Sequence, residues 1–265
     1  MNFLRVSIGK DNLLNEDSII ADSTRIAVSD GAGGGGLFAD RWSAYLLNKL
    51  PPNPIHSFEV LDEWVESIWE SFYSQYEAIA KSLGAVELNK FYDEGSLATL
   101  AVLWLNGNGV EWMSYGDSAV FCYDFKSKEL LSNIVNPQLF NETPFLINVN
   151  APLCDDGFKC GTFPVSETKW YFCATDALAH YIIASYMVAN KSVYQDSLHE
   201  SVNSRTKNSN FIRAILSESN IDFEKDVMMK LFNCAKNQSN FARHIKKLQR
   251  MGKLAYDDYS IAFLY

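Results

Sequence analysis

Short apolar runs, some of them alternating with polar residues, predict β-strands near both ends and in the middle of the chain. Gly, Asn, Asp and Ser residues typical of turns bound these runs, as at 106–109. Because the first and last segments are both predicted strands, we expect one sheet system and a single domain over 1–265. The predicted strands are 2–8, 18–21, 25–29, 96–105, 110–115, 119–123, 169–175 and 259–265.

Apolar residues spaced three and four apart predict helices between these strands. The longest such pattern is sustained for about seven turns, with Ser57 as a plausible N-cap and Gly84 at its end. Further helices are predicted over 37–49 and 177–188, and two or three more make 190–255 a helical segment. A basic cluster in that segment is either a solvated helix face or a docking surface for a phosphorylated partner; it comprises Lys246, Lys247, Arg250 and Lys253.

A glycine-rich stretch, RIAVSDGAGGGGLFAD at 25–40, joins a predicted strand to a predicted helix. Glycine allows a backbone to approach a ligand closely. The glycines of this stretch match the GxGxxG spacing, so one interpretation is a dinucleotide-binding site. Asp30 would then place a negative charge beside a pyrophosphate, and a second helix follows where such a site needs a strand. The stretch therefore favours a hard cation held by Asp30 and backbone carbonyls.

Acidic residues stand at the ends of predicted strands in five places. Clustered carboxylates repel one another unless protons or cations intervene, and no matching set of Arg or Lys accompanies them. Bound Mg²⁺ or Mn²⁺ is the expected counter-charge, and two such ions can activate water for displacement at phosphorus. The five places are Glu16/Asp17, Asp30, Asp117, Asp176 and Asp257/Asp258.

Composition narrows the classes of function. A hydrophobic content of 48% over 265 residues supports a substantial core, and a net charge of −9 disfavours nucleic acid as a partner. No signal-peptide pattern opens the sequence, and the apolar run at 181–189 is too short for a bilayer. Five cysteines without a CxxC motif indicate reduced thiols, and the histidine spacing argues against zinc. We therefore expect a cytoplasmic protein with no membrane partner.

Six motifs, taken in order, resemble those of the metal-dependent protein phosphatases (PPM, type 2C serine/threonine phosphatases) of the bacterial type. They are NED at 15–17, SDGAGG at 29–34, GSLATLAVLWL at 95–105, GDSA at 116–119, ATDALA at 174–179 and DDYSIAFL at 257–264. The resemblance spans essentially the whole chain. It implies an α+β fold, an αββα sandwich of two antiparallel β-sheets flanked by helices.

The resemblance also implies roles for the acidic residues. Asp30 would bridge two Mg²⁺ or Mn²⁺ ions, with the Gly31 carbonyl and Glu16 completing one metal's protein ligands. Asp176 and Asp257 would hold the other ion, and Asp30 and Asp176 would be catalytic. Asp117 would lie near a third, weaker ion, while Asp17 and Asp258 would support the ligands from outside.

Asn12 stands where the bacterial family commonly has an arginine for the substrate phosphate. We assign substrate binding to Lys10 and Asn12, with Arg5 as another substitute cation. Ala177 and Asp258 replace the usual glycine and asparagine. The expected function is hydrolysis of phosphoserine or phosphothreonine in proteins. The alternative is a pseudophosphatase that binds a phosphoprotein or regulatory partner, and the oligomeric state stays open.

Overall fold

A computed structural model describes residues 1–11, 13–107, 109–204, 206–218 and 220–265. Asn12, assigned to substrate binding, and Asn108, in the predicted turn at 106–109, lie outside the described residues. Two five-stranded antiparallel sheets lie face to face, with helices on both outer sides. The predicted fold class, an αββα sandwich, is confirmed.

The first sheet brings together the two ends of the chain. Its strand order is β1-β12-β11-β7-β8, and Phe3 in β1 pairs with Leu264 in β12. The strands are β1 (Phe3–Ile8), β7 (Ala119–Asp124), β8 (Glu129–Ser132), β11 (Lys169–Ala174) and β12 (Tyr259–Leu264).

The second sheet has the strand order β10-β6-β5-β3-β2. Its strands are β2 (Ser18–Ala21), β3 (Arg25–Ser29), β5 (Leu100–Asn106), β6 (Gly109–Tyr115) and β10 (Phe158–Phe163), and β4 (Leu97–Ala98) pairs separately with β9 (Ile147–Asn148). Inward-facing side chains of both sheets, such as Val28, Leu103 and Ala262, form one apolar layer between them. This layer fixes how the strand ends of the two sheets lie against each other.

Helices cover the outer faces in two groups. The second sheet is covered by α1 (Ala39–Lys49), α2 (Phe58–Leu83) and α3 (Ala85–Glu94). The first sheet is covered by α4 (Asp176–Ala189), α5 (Gln195–Asn203), α6 (Lys207–Leu216), α7 (Met229–Ala235) and α8 (Gln238–Arg250), with a π-helical turn at Phe223–Met228. In the described part of the chain, no helix combines the length and apolar character needed to cross a membrane.

Several element boundaries differ from the sequence predictions for local reasons. α1 begins at Ala39 rather than at residue 37, because Phe38 has a left-handed backbone with φ 58°. The predicted strand 96–105 is interrupted at Thr99, whose backbone N–H donates to the Asp30 carbonyl. α3 was not predicted, because Phe91 is its only buried residue and gives no periodic signal. The described residues of the segment 190–255 form four α-helices and the π-helical turn instead of two or three helices.

His180 in α4 is expected to make stability fall in mild acid. Its ring makes T-shaped contacts with the rings of Phe140 and Phe211, and burial lowers its pKa from 6.5 to about 4. The unfolded chain therefore takes up this proton first, so stability is fully present above pH 6.5 and is lost as the pH falls toward 4. We expect a loss of about 2 kcal/mol from this residue between pH 7 and pH 5.

Urea unfolding at both pH values would measure this loss. His180→Leu should lose about 2 kcal/mol less than the parent protein on acidification, whereas His199→Leu, at an exposed histidine of α5, should behave like the parent. An unchanged pH dependence in His180→Leu would contradict the assignment.

Candidate metal centre

Asp30 lies directly after β3, where the chain leaves the second sheet. Its backbone N–H donates to Thr99 Oγ1 at 3.1 Å, and its carbonyl accepts from the Thr99 N–H at 2.8 Å. Thr99 Oγ1 also lies 2.7 Å from Ser118 Oγ, next to Asp117. A small hydroxyl network thus ties the end of β3 to the turn that carries Asp117.

Asp117 and Asp176 occupy comparable places beside the first sheet. Asp117 lies in the turn between β6 and β7, where Gly116 adopts φ 92° and a Cβ would meet the Phe145 carbonyl oxygen at 2.6 Å. Asp176 is the first residue of α4, directly after Thr175 and the end of β11. Glycine at position 116 therefore makes the turn possible, and the change from strand to helix positions Asp176.

Asp17 is buried, and its charge acts on both Asp30 and Asp176. Thr175 Oγ1 donates to Asp17 Oδ2 at 2.9 Å and accepts from the Ser260 N–H at 3.1 Å. The other oxygen, Asp17 Oδ1, is buried and has no hydrogen-bond partner among the described residues. A buried, unsatisfied carboxylate oxygen is costly unless a proton or a cation approaches it.

The carboxylates affect one another's ionisation. Burial raises the pKa of Asp17 to about 7 and that of Asp117 to about 6, and nearby acidic charges, Asp257 among them, add to both. The pKa values of Asp30 and Asp176 are raised well above the ordinary range, first by burial and then by neighbouring carboxylates. The charges acting on Asp30 are those of Asp17, Asp176, Asp117 and Asp257. None of these acids except Asp257 forms an ion pair within the described residues.

Glu16 and Asp257 form a more accessible part of the cluster, and a lysine joins them. Lys10 Nζ lies 3.2 Å from Asp257 Oδ1 and 3.8 Å from Glu16 Oε2. Burial lowers the pKa of Lys10, but the charge and hydrogen bond of Asp257, with Asp258 and Glu16, raise it overall. The sequence indicated no matching set of Arg or Lys beside the acids, and here a single lysine, Lys10, contacts two of the predicted metal ligands.

Asp258 fastens the loop that carries Lys10 and Glu16. Its two carboxylate oxygens accept the backbone N–H groups of Lys10 at 2.7 Å and Glu16 at 2.8 Å. Asp258 is only 3% exposed, so water does not readily replace either bond. The last strand thus sets the position of Glu16, although the two residues are far apart in the sequence.

Replacing Asp258 is expected to loosen this loop. Asp258→Ala leaves two amide groups without an acceptor and should cost about 2–4 kcal/mol of unfolding free energy. Asp258→Asn keeps one acceptor oxygen and should cost about half as much. Urea unfolding would measure both against Asp156→Ala, a control at an exposed aspartate. Equal stability of Asp258→Ala and that control would contradict the role.

Three supporting residues were missed from the sequence. Asp40 adds its charge to those that raise the pKa of Glu16, after burial as the main cause and against the lowering by Lys10. Thr99 and Thr175 hold Asp30 and Asp17 through the bonds described above. Asp40 is the last residue of the glycine-rich stretch and was a detectable acid, whereas the two threonines lie in apolar runs that resemble ordinary strand sequence.

The donor set suits a hard divalent cation. It consists of carboxylate oxygens in excess negative charge, with the Asp17 Oδ1 atom unsatisfied. The carbonyl of Gly31, the predicted backbone ligand, already accepts the Gly33 N–H at 3.1 Å and keeps a second lone pair. Among the described residues, no three His, Cys, Asp or Glu side chains are grouped closely enough to form a ready-made metal site. The acids lie close enough for the charge of one to raise the pKa of another, and carboxylate oxygens are ligands that suit Mg²⁺ or Mn²⁺.

Comparison with known proteins identifies the fold. No protein-family model and no curated protein sequence matches the chain. The PPM Ser-Thr phosphatase MsPP from Mycobacterium smegmatis, solved in complex with cacodylate, has a TM-score of 0.54 at 14% identity, over 99% of this chain and 97% of that chain. The serine/threonine phosphatase of S. agalactiae has a TM-score of 0.52 at 13% identity, over 100% and 98%.

A third structure, serine/threonine phosphatase Stp1 from Staphylococcus aureus, has a TM-score of 0.50 at 12% identity, over 98% of this chain and 93% of that chain. The chain therefore has the fold of bacterial PPM-type phosphatases, and the resemblance read from its motifs is confirmed at the level of the fold.

Proposed function

We propose that this chain is a metal-dependent phosphatase that hydrolyses phosphoserine or phosphothreonine in proteins. The observation that carries the proposal is the group of mutually repelling acids, Asp17, Asp30, Asp117 and Asp176, at the strand ends of a PPM-type fold. Such a group is stable only with protons or cations, and its oxygen donors select hard divalent ions.

Asp30 would contribute to both Mg²⁺ or Mn²⁺ ions. The Gly31 carbonyl and Glu16 would complete the protein ligands of one ion, and Asp176 and Asp257 would hold the other. Asp117 would serve a third, weaker site. Two bound ions would supply an activated water and stabilise the charge that develops on the phosphoryl group. Asp17 and Asp258 would position the ligands, Asp17 through Thr175 and Asp258 through the Lys10 and Glu16 amides.

Lys10 would orient the substrate phosphate at the edge of the site. Its ammonium is half-buried and held by Asp257, so it is already directed toward the acids. A lysine binds phosphate as a point charge and lacks the bidentate geometry of arginine, so phosphate binding should be weaker than with an arginine. Asn12 remains a proposed second contact, and the proposed domain is the whole of 1–265.

One observation favours the alternative, a pseudophosphatase that binds a phosphoprotein. Lys10 pairs with Glu16 and Asp257 and neutralises part of the charge that a metal ion would otherwise balance. The phosphatase and the pseudophosphatase would have the same fold, and turnover of a substrate would distinguish them.

The test is hydrolysis of p-nitrophenyl phosphate and of a phosphothreonine peptide with Mn²⁺, with Mg²⁺ and with EDTA. We expect turnover that needs metal and disappears in Asp176→Asn. Metal-dependent thermal stabilisation without turnover would favour the pseudophosphatase. Activity that persists in EDTA or in Asp176→Asn would overturn the two-metal proposal.

A further inference from the structure

A groove of about 570 Å³ lies between α2, α3 and the segment 148–153, apart from the carboxylates described above. Trp69, Tyr73 and Tyr92 provide aromatic walls, and Asp62 and Glu66 provide two carboxylates one turn apart on α2. The described lining residues include no Lys, Arg or His, and none of the ion pairs in the described part of the chain involves Asp62 or Glu66. The groove therefore combines aromatic faces with two uncompensated negative charges.

Hydrogen bonds hold the walls of this groove in place. Trp69 Nε1 donates to Glu66 Oε2 at 3.0 Å, and the Trp69 and Tyr73 rings meet edge to face at 5.7 Å. Tyr92 Oη donates to Glu77 Oε1 at 2.8 Å. Within the described chain, the other oxygen, Glu66 Oε1, accepts no hydrogen bond. The three aromatic side chains and Glu66 are thus oriented before any ligand binds, which reduces the cost of ordering them.

Aromatic faces beside carboxylates suit a planar cation. A guanidinium stacks on aromatic rings and donates paired hydrogen bonds to carboxylates, whereas a hydrated ammonium matches this geometry less well. The net charge of −9 adds a general attraction for basic segments. The complementary ligand is an arginine side chain.

The groove is linked to the candidate metal centre by a short stretch of backbone. Tyr92 lines the groove, and seven residues later the Thr99 N–H bonds the Asp30 carbonyl. Seven residues of chain span at most about 25 Å, so Tyr92 and Thr99 lie no further apart than that. An extended substrate peptide of about seven residues covers the same distance. A substrate could therefore place a phosphorylated residue at the acids and an arginine in the groove.

We propose that this groove binds an arginine of the phosphoprotein substrate, within about seven residues of the phosphorylated position. This inference rests on the proposed phosphatase function for its substrate, but binding in the groove can be measured without turnover.

The binding experiment uses a fluorescent phosphothreonine peptide with one arginine, and the same peptide with citrulline in its place. Citrulline keeps the shape and removes the charge. Asp62→Asn/Glu66→Gln should weaken binding of the arginine peptide about tenfold and leave the citrulline peptide unaffected. The matched control is Glu63→Gln/Glu70→Gln, which removes the same charge from exposed positions of α2 outside the groove.

Equal weakening by the two double variants would show that net charge alone attracts the peptide, and equal affinity for arginine and citrulline peptides would show no arginine site. Either result would overturn the proposal. The proposal is supported if only the arginine peptide binds tightly and if this binding depends on Asp62 and Glu66. If such binding is seen but no peptide is hydrolysed, the arginine site stands and only the phosphatase proposal fails.

Kinetics give a second readout. Asp62→Asn/Glu66→Gln should raise KM for the arginine peptide about tenfold with kcat unchanged, and should not alter turnover of p-nitrophenyl phosphate. Moving the arginine more than about seven residues from the phosphothreonine should remove the difference between the two proteins. A fall in kcat on p-nitrophenyl phosphate would place the effect in the metal centre and would contradict a separate arginine site.

Discussion

Asp30→Asn is expected to abolish metal-dependent hydrolysis and, at the same time, to stabilise the metal-free protein. The change removes a carboxylate that we propose would be a ligand of both ions, and turnover should fall at least about 10³-fold, which corresponds to roughly 4 kcal/mol of lost transition-state stabilisation. It also removes one of several acids whose charges repel one another, so the unfolding free energy without metal should rise by about 1 kcal/mol.

The stabilisation should depend on pH in a defined direction. Burial and neighbouring carboxylates raise the pKa of Asp30 in the folded protein. A group with a raised folded pKa destabilises the fold as the pH rises through its ionisation, so the advantage of asparagine should grow from pH 5 to pH 8. Thermal melts with EDTA at both pH values would measure it.

Asp93→Asn, at an exposed aspartate of α3, makes the same chemical change outside the site. It should change neither turnover nor melting temperature. A loss of stability in Asp30→Asn would show that its carboxylate is satisfied without metal, and retained turnover would remove Asp30 from the metal-bridging role.

The fold and the positions of the acidic residues could be predicted from the sequence, but the contacts that arrange these residues could not. Periodic apolar residues are a local signal, and β1, β3, α2 and β12 were predicted from it within a few residues. α3 has a single buried residue, Phe91, and so gave no such signal. Hydrophobic pattern therefore identifies the elements that bury a whole face.

Long-range polar contacts had no local signal at all. Asp258 binds the amides of Lys10 and Glu16 only because β1 and β12 are neighbours in the first sheet. That pairing also explains why a lysine reaches Asp257. The roles of the individual acids in metal binding remain predictions.

Alanine substitutions at three glycines of the glycine-rich stretch should differ in their effect on stability, because a Cβ at each position would meet different atoms around Glu16. A Cβ at Gly31 would lie 2.7 Å from the carbonyl oxygens of Ala39 and Glu16, two backbone atoms that cannot move independently. Gly31→Ala should therefore cost about 3 kcal/mol of unfolding free energy. A Cβ at Gly34 would have no atom within 4 Å, so Gly34→Ala should change stability by less than about 0.5 kcal/mol.

Gly33→Ala should separate metal binding from folding. Its Cβ would fall 1.6 Å from Glu16 Oε1, the flexible end of a side chain, so the Glu16 carboxylate must move while the backbone stays. Stability without metal should remain near that of Gly34→Ala, and Mn²⁺ affinity measured by calorimetry should fall about 10–100-fold. Unchanged Mn²⁺ affinity in a folded Gly33→Ala protein would mean that Glu16 is not a ligand. A loss of stability as large as that of Gly31→Ala would mean that the loop, and not the carboxylate, fills the space beside Gly33.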